Sequence, residues 1–200
     1  DGNADLFHAK INGKADNWWN EERWNNELTD DLFAVTFGMS TTVAKEAVKD
    51  LWGIGGDYDE GRTEEYIKSM CRRRAEMVNQ ATKKELDAAL DDDLPEDAEK
   101  STPEGVFENA KDNRSVSAGQ AFAGALIAWS LMEACRQNEK PGQNVFKTWV
   151  VTSDNPRASH AAMNGETVPY DQPFSNGAMW PGDIDNLDVE DVANCHCILE

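Results

Sequence analysis

The fold turns on residues 145–160, Val145-Phe146-Lys147-Thr148-Trp149-Val150-Val151-Thr152-Ser153-Asp154-Asn155-Pro156-Arg157-Ala158-Ser159-His160. Residues 145–152 are β-branched and aromatic, which is a strand signal. Turn residues then become frequent: Asn164-Gly165, Ser175-Asn176-Gly177 and Pro181-Gly182-Asp183. The stretch Cys195 to Leu199 reads as a closing strand. Everything before residue 140 reads instead as helices joined by polar loops. The sequence therefore predicts an α+β chain. A mainly helical N-terminal part covers 1–140, with an acidic linker near 91–100, and a small α+β lobe with short strands covers 141–200.

In the helical part, Asp16 is placed to cap a segment carrying Trp24, Leu28 and Leu32. Ser40 or Thr41 is placed to cap a second, with Val43, Ala44, Ala47, Val48 and Leu51 on one face and Gly53 as its stop. Thr63 opens a long helix striped with Ile67, Met70, Cys71, Val78 and Ala81. Ser101-Thr102-Pro103-Glu104 reads as a capping box with Pro in the first turn. Ser115 or Ser117 caps the last long helix, whose Ala121, Phe122, Ala125, Leu126, Trp129, Leu131 and Met132 make it the expected central element. Gly53-Ile54-Gly55-Gly56-Asp57 follows no strand and lacks the Lys-Ser/Thr ending of a phosphate loop, so it reads as a plain loop.

Composition narrows the partners. Nineteen Lys and Arg against 38 Asp and Glu give a net charge of -19, which repels phosphate backbones and anionic membrane surfaces. Broad DNA or RNA binding is not expected. Arg72-Arg73-Arg74 is either a basic patch for an acidic partner or a solvated face paired with nearby carboxylates, and the acidity of the chain favours the second. The most apolar stretch, Ala121 to Met132, is shorter than the ~20 residues of a spanning helix, and no apolar leader opens the chain. No membrane role is expected. Asp1 at the start and Glu200 within a strand-like stretch read as cuts from a longer polypeptide. An apolar content of 40% points to an elongated or partner-dependent shape. Trp18, Trp19 and Trp52 suit either protein interfaces or core packing. Cys71 and Cys135 read as small buried hydrophobes, and nothing indicates a disulfide framework, so a reducing, intracellular origin is expected.

The chemistry concentrates after the strand. Asp154, Arg157 and His160 lie three residues apart and share a face if a helix begins after Pro156. Such a row can be a small triad, a polar clasp or part of a metal site; an Asp that caps a helix inside a structural network is the simplest reading. Cys195 and Cys197 point to one side of a strand, and a disulfide between such close neighbours is strained. Zn²⁺ accepts Cys sulfur and His nitrogen, so Cys195, Cys197 and His160, with Asp154 as a fourth ligand, form a candidate metal set; His196 falls on the opposite face. The other reading is two buried thiols packing the lobe. A Cys–His–Asp nucleophile set is present in composition, but no glycine-rich oxyanion turn precedes either cysteine.

In order, Lys147 and Trp149, then Asp154, Arg157 and His160, then Gly165, Phe174, Pro181-Gly182-Asp183, and finally Asn194, Cys195 and Cys197 resemble the C-terminal signature of the Mu F-like family of tailed-phage head-morphogenesis proteins, also called minor head or minor capsid proteins. The likeness covers about the last quarter of the chain. His196 stands where the family has Arg. Ala158 and Ser159 replace polar or basic residues, and the helix from Ser117 to Gln137 lacks the family's usual acidic position. The resemblance implies a structural protein of the virion rather than an enzyme. It would be assembled in the host cytoplasm and lie inside the phage head near the portal, in several copies around it. It would contact the portal protein or the major capsid protein and act in head morphogenesis or early DNA delivery. In some phages the domain is fused to the portal protein or a toxin, which fits ends that look cut. The alternative from the residues themselves is a metal-dependent hydrolase or transferase using the Asp/His/Cys cluster.

Overall fold

The computed structural model describes residues 18–90, 102–140 and 142–200. Asp16, the acidic linker at 91–100, Ser101 and Pro141 lie outside the described residues. Helix α1 (Glu21–Trp52) starts at Asn20, whose side chain accepts from the Arg23 amide, and Glu21 and Glu22 complement the helix dipole. It ends at Gly53, with φ of 61°. This is one helix of 32 residues where the sequence reading expects two. Ser40 does not cap. It is fully buried, and its hydroxyl pairs with that of Ser130 at 2.8 Å. Gly38 alone is too weak a breaker, costing ~1 kcal/mol in a helix interior. The buried stripe is small and polar (Asn25, Thr29, Thr36, Ser40, Ala44), while Trp24, Leu28 and Leu32 are only half-buried.

Helix α2 (Glu64–Ala89) follows a 3-10 turn at Glu60–Arg62. Thr63 opens it, but its hydroxyl donates to the Glu60 carbonyl and does not cap an amide. Its buried side holds Ile67, Met70, Cys71, Ala75 and Leu86, as the stripe predicts in part; Val78 is half-buried and Ala81 exposed. Asn79 Nδ2 donates to Asn25 Oδ1 at 2.8 Å, and Cys71 Sγ lies 3.2 Å from Thr36 Oγ1, so polar pairs hold α2 against α1. The arginine run is not one face. Arg72 pairs with Glu76, Arg73 with Asp185 of the lobe, and Arg74 is buried with its guanidinium 5.2 Å from the Phe122 ring centre.

Helix α3 (Pro103–Asn109) begins at Thr102, whose hydroxyl accepts from the Gly105 amide at 3.1 Å. Gly105 occupies the third helical position and has no side chain to reach back, so the reciprocal half of a capping box is missing. A π turn at Ala110–Arg114 carries it directly into α4 (Ser115–Asn138). No cap at Ser115 or Ser117 is needed, and the Ser117 hydroxyl donates to Asn194 Oδ1 in the lobe. Pro103–Asn138 is long and apolar enough to cross a membrane by length and composition alone. Here α4 is the central helix that its sequence predicts: Ile67, Met70 and Cys71 of α2 form one core with its Phe122, Leu126 and Trp129. Cys71 and Cys135 are buried free thiols, as expected.

The lobe holds β1 (Phe146–Val150), α5 (Ala158–Met163), β2 (Thr167–Pro169), α6 (Val189–Val192) and β3 (Ile198–Leu199). The sheet is antiparallel in the order β2-β1-β3, with Lys147 opposite Val168 and Trp149 opposite Leu199. The period of two puts Lys147 and Trp149 on the buried face and leaves Phe146 exposed. The strand at the chain end is shorter than its sequence predicts: residues 195–197 precede it without regular secondary structure. Gly182 fastens the lobe to α4. Its φ is 78°, and a Cβ there would sit 2.7 Å from Ala125 Cβ.

Candidate metal centre

His160 comes from α5, and Cys195 and Cys197 come from the segment leading into β3. Their side chains meet under the sheet. Cys197 Sγ lies 3.4 Å and Cys195 Sγ 3.8 Å from His160 Nδ1, and the three candidate ligand atoms all fall within 4.8 Å of one another. All three residues are buried, at 2%, 4% and 5% exposure in chain order. The spacing of Cys195 and Cys197 works as expected: both sulfurs face inward and His196 faces solvent. Both thiols are free.

Trp149 forms the floor. It is fully buried, edge-on to the His160 ring at 5.6 Å and to Phe174 at 5.2 Å. Its indole N–H has no conventional hydrogen-bond partner and acts on the Cys197 sulfur. Lys147 lies under the same sheet, donating to the Met179 carbonyl at 2.7 Å with its ammonium 5.0 Å from the Phe174 ring centre. Asp183 is fully buried and accepts from the amides of Met179 and Asp185 and from Asn186 Nδ2. Gly165, with φ of 84°, donates its amide to the Trp149 carbonyl at 2.8 Å. Asn194 takes a left-handed φ of 52°, which Asn tolerates better than most side chains, just before Cys195. The Arg157 guanidinium donates to the Ala193 carbonyl, tying α5 to the cysteine segment. Pro181 is buried beside Gly182.

Asp154 is the exception. It is exposed in the loop before α5, whose N-cap is Arg157, so it neither caps that helix nor joins the group as a fourth ligand. The Asp-Arg-His row does not share a helix face, because the helix starts one residue after Arg157. Two residues that the sequence reading missed take part instead. Asp191 of α6 brings Oδ1 to 3.7 Å from His160 Nε2. Arg74 adds a buried positive charge from α2. An acidic turn four residues before Cys195 was the available signal for Asp191; for Arg74, only its place in the α2 stripe.

The electrostatics follow from burial. The hydrogen bond from Cys197 holds the Cys195 thiol down at about 7 against desolvation, with help from the charges of Arg157 and Arg74. The same bond, with burial, pushes the Cys197 thiol up. Burial and then Arg157 lower the His160 imidazole, while Asp191 opposes through its carboxylate and main-chain carbonyl. Two sulfurs and an imidazole nitrogen can hold a metal ion.

No family model, curated protein or solved structure matches this chain.

Proposed function

We propose that this chain is a structural minor head protein of a tailed bacteriophage, portal-proximal, acting in head morphogenesis or early DNA delivery without turnover. The observation that supports this reading is the meeting of His160 with Cys195 and Cys197 across 35 and 37 residues. Of the Mu F-like signature, Trp149, Phe174, Cys195 and Cys197 share one buried core, with the His160 ring edge-on to Trp149. The partners would be the portal protein or the major capsid protein, met through the helical part, where Val35 (71% exposed) and Leu51 (57% exposed) of α1 present apolar surface. The net charge of -19 favours protein partners over DNA.

Within this reading the centre takes a structural Zn²⁺, held by His160, Cys195 and Cys197. The donor set suits that ion, which would neutralise two thiolates and cross-link α5 to the chain end. Purified particles analysed by mass spectrometry test the role: the chain is expected in the head, and its absence from particles with a cytoplasmic pool instead would overturn the proposal.

A metal-dependent hydrolase or transferase is the second reading. It draws on the grouping of His160 with two thiols and on Asp154 leaving a fourth ligand position unfilled. Ligands this buried favour the structural reading, since catalytic zinc keeps a position open to water and substrate.

A further inference from the structure

The His160 ring presents its two nitrogens to different neighbours. Nδ1 faces the two sulfurs, while Nε2 is buried and has no hydrogen-bond partner. A buried polar nitrogen left unsatisfied costs on the order of 1–3 kcal/mol. The Asp191 carboxylate stands 3.7 Å from that nitrogen, and the same Oδ1 accepts from the Ser159 hydroxyl at 3.2 Å. Ser159 precedes His160 on α5, and Asp191 sits on α6, four residues before Cys195. The helix that carries the imidazole and the short helix just before the two cysteines thus converge on one carboxylate. A metal-ligating imidazole characteristically donates its other N–H to a carboxylate or carbonyl, which fixes the tautomer and orients the ring.

We infer that Asp191 is a positioning residue of this centre: its carboxylate, 3.7 Å from Nε2, is the acceptor that takes the Nε2–H of His160 when a metal ion binds, and so keeps Nδ1 as the free donor facing Cys195 and Cys197. This rests on the metal-binding reading above. The Asp191 carbonyl also acts on the ring, but the carboxylate adds a negative charge that a bound cation strengthens through the imidazole. Ser159 steadies the carboxylate at the right place. Neither residue touches the metal.

The test is a Co²⁺ titration of the purified, reduced chain, read by the thiolate-to-cobalt absorption. Asp191→Asn keeps the shape of a partly exposed side chain, so folding is expected to survive, and Co²⁺ affinity is expected to fall on the order of 10–100-fold. Glu190→Ala removes a neighbouring exposed charge and is expected to leave affinity unchanged. A purely structural role for Asp191 would lower the unfolding midpoint without moving Co²⁺ affinity below it. Asp191→Asn binding as tightly as the parent would overturn this inference and leave the metal reading standing. A parent chain that binds no Co²⁺ would overturn both.

Discussion

Cys197 Sγ lies 3.4 Å from His160 Nδ1, with the two residues separated by 37 positions and both buried. The contact ties the chain end to α5 and makes the lobe's stability depend on whatever occupies the centre. Ligand that binds only the folded form stabilises it by about 2.7 kcal/mol at 100 times its dissociation constant. A strong chelator is therefore expected to lower the thermal midpoint of the parent chain. Cys197→Ser is expected to melt lower from the outset and to ignore the chelator. Thermal melts with and without chelator, followed by tryptophan fluorescence, check both.

Lys147 gives a pH signature from the same buried face of the sheet. Burial holds its ammonium down at about 8, against an ordinary 10.5, with Asp171 and Asp183 opposing. The folded chain therefore holds fewer protons than the unfolded chain between pH 8 and 10.5. Stability from this group rises with pH across that window and is at its lowest below it. The stability of the parent relative to Lys147→Met is expected to increase by roughly 2–3 kcal/mol between pH 8 and 10.5. Urea unfolding of both proteins across that range measures it; a constant difference would contradict the assignment.

Gly182 is a close approach between lobe and helices. A side chain there meets a φ of 78° and Ala125 Cβ at 2.7 Å. Gly182→Ala is expected to destabilise the chain by about 1–3 kcal/mol. Faster amide exchange at Asp183, Asn186 and Leu187, whose amides bond across this turn, should accompany the loss.

Much of this architecture was legible from residue order. Lys147 and Trp149 alternate into the core as a half-buried strand requires, and Cys195 and Cys197 face one way for the same reason. The turn glycines at 165, 177 and 182 all take positive φ. The α4 stripe was legible because large apolar residues mark it. Helix α1 was not, because Asn25, Thr29, Thr36 and Ser40 face its partners while aromatic and aliphatic residues stay half out. Periodicity weighs apolar residues, so a polar seam is invisible to it. The candidate site was half legible. His160 and the two cysteines carry their chemistry in their types. Asp154 was placed in the set by sequence neighbourhood, whereas Asp191 reaches His160 through the path of the chain between α5 and α6.

The polar seam makes its own prediction. Ser40 and Ser130 hydroxyls meet at 2.8 Å, both fully buried, and Ser130 also donates to the Leu126 carbonyl. Ser130→Ala takes a partner from the Ser40 hydroxyl, Ser40→Ala leaves Ser130 bonded to Leu126 alone, and the double change removes both hydroxyls. The double-mutant cycle is expected to show coupling of about 1 kcal/mol, with the double variant less destabilised than the sum of the singles.

The acidity of the chain is also open to trial. With a net charge of -19, no shift of duplex DNA is expected in a low-salt gel even though Arg72, Arg73 and Arg74 are adjacent, because Arg72 and Arg73 are paired and Arg74 is buried.

Elemental analysis of the chain purified under reducing conditions tests the central claim most directly. One zinc per chain, lost when His160 becomes Ala or Cys197 becomes Ser, is the predicted result. A parent chain carrying essentially no metal, and taking none up when zinc is supplied, would contradict it.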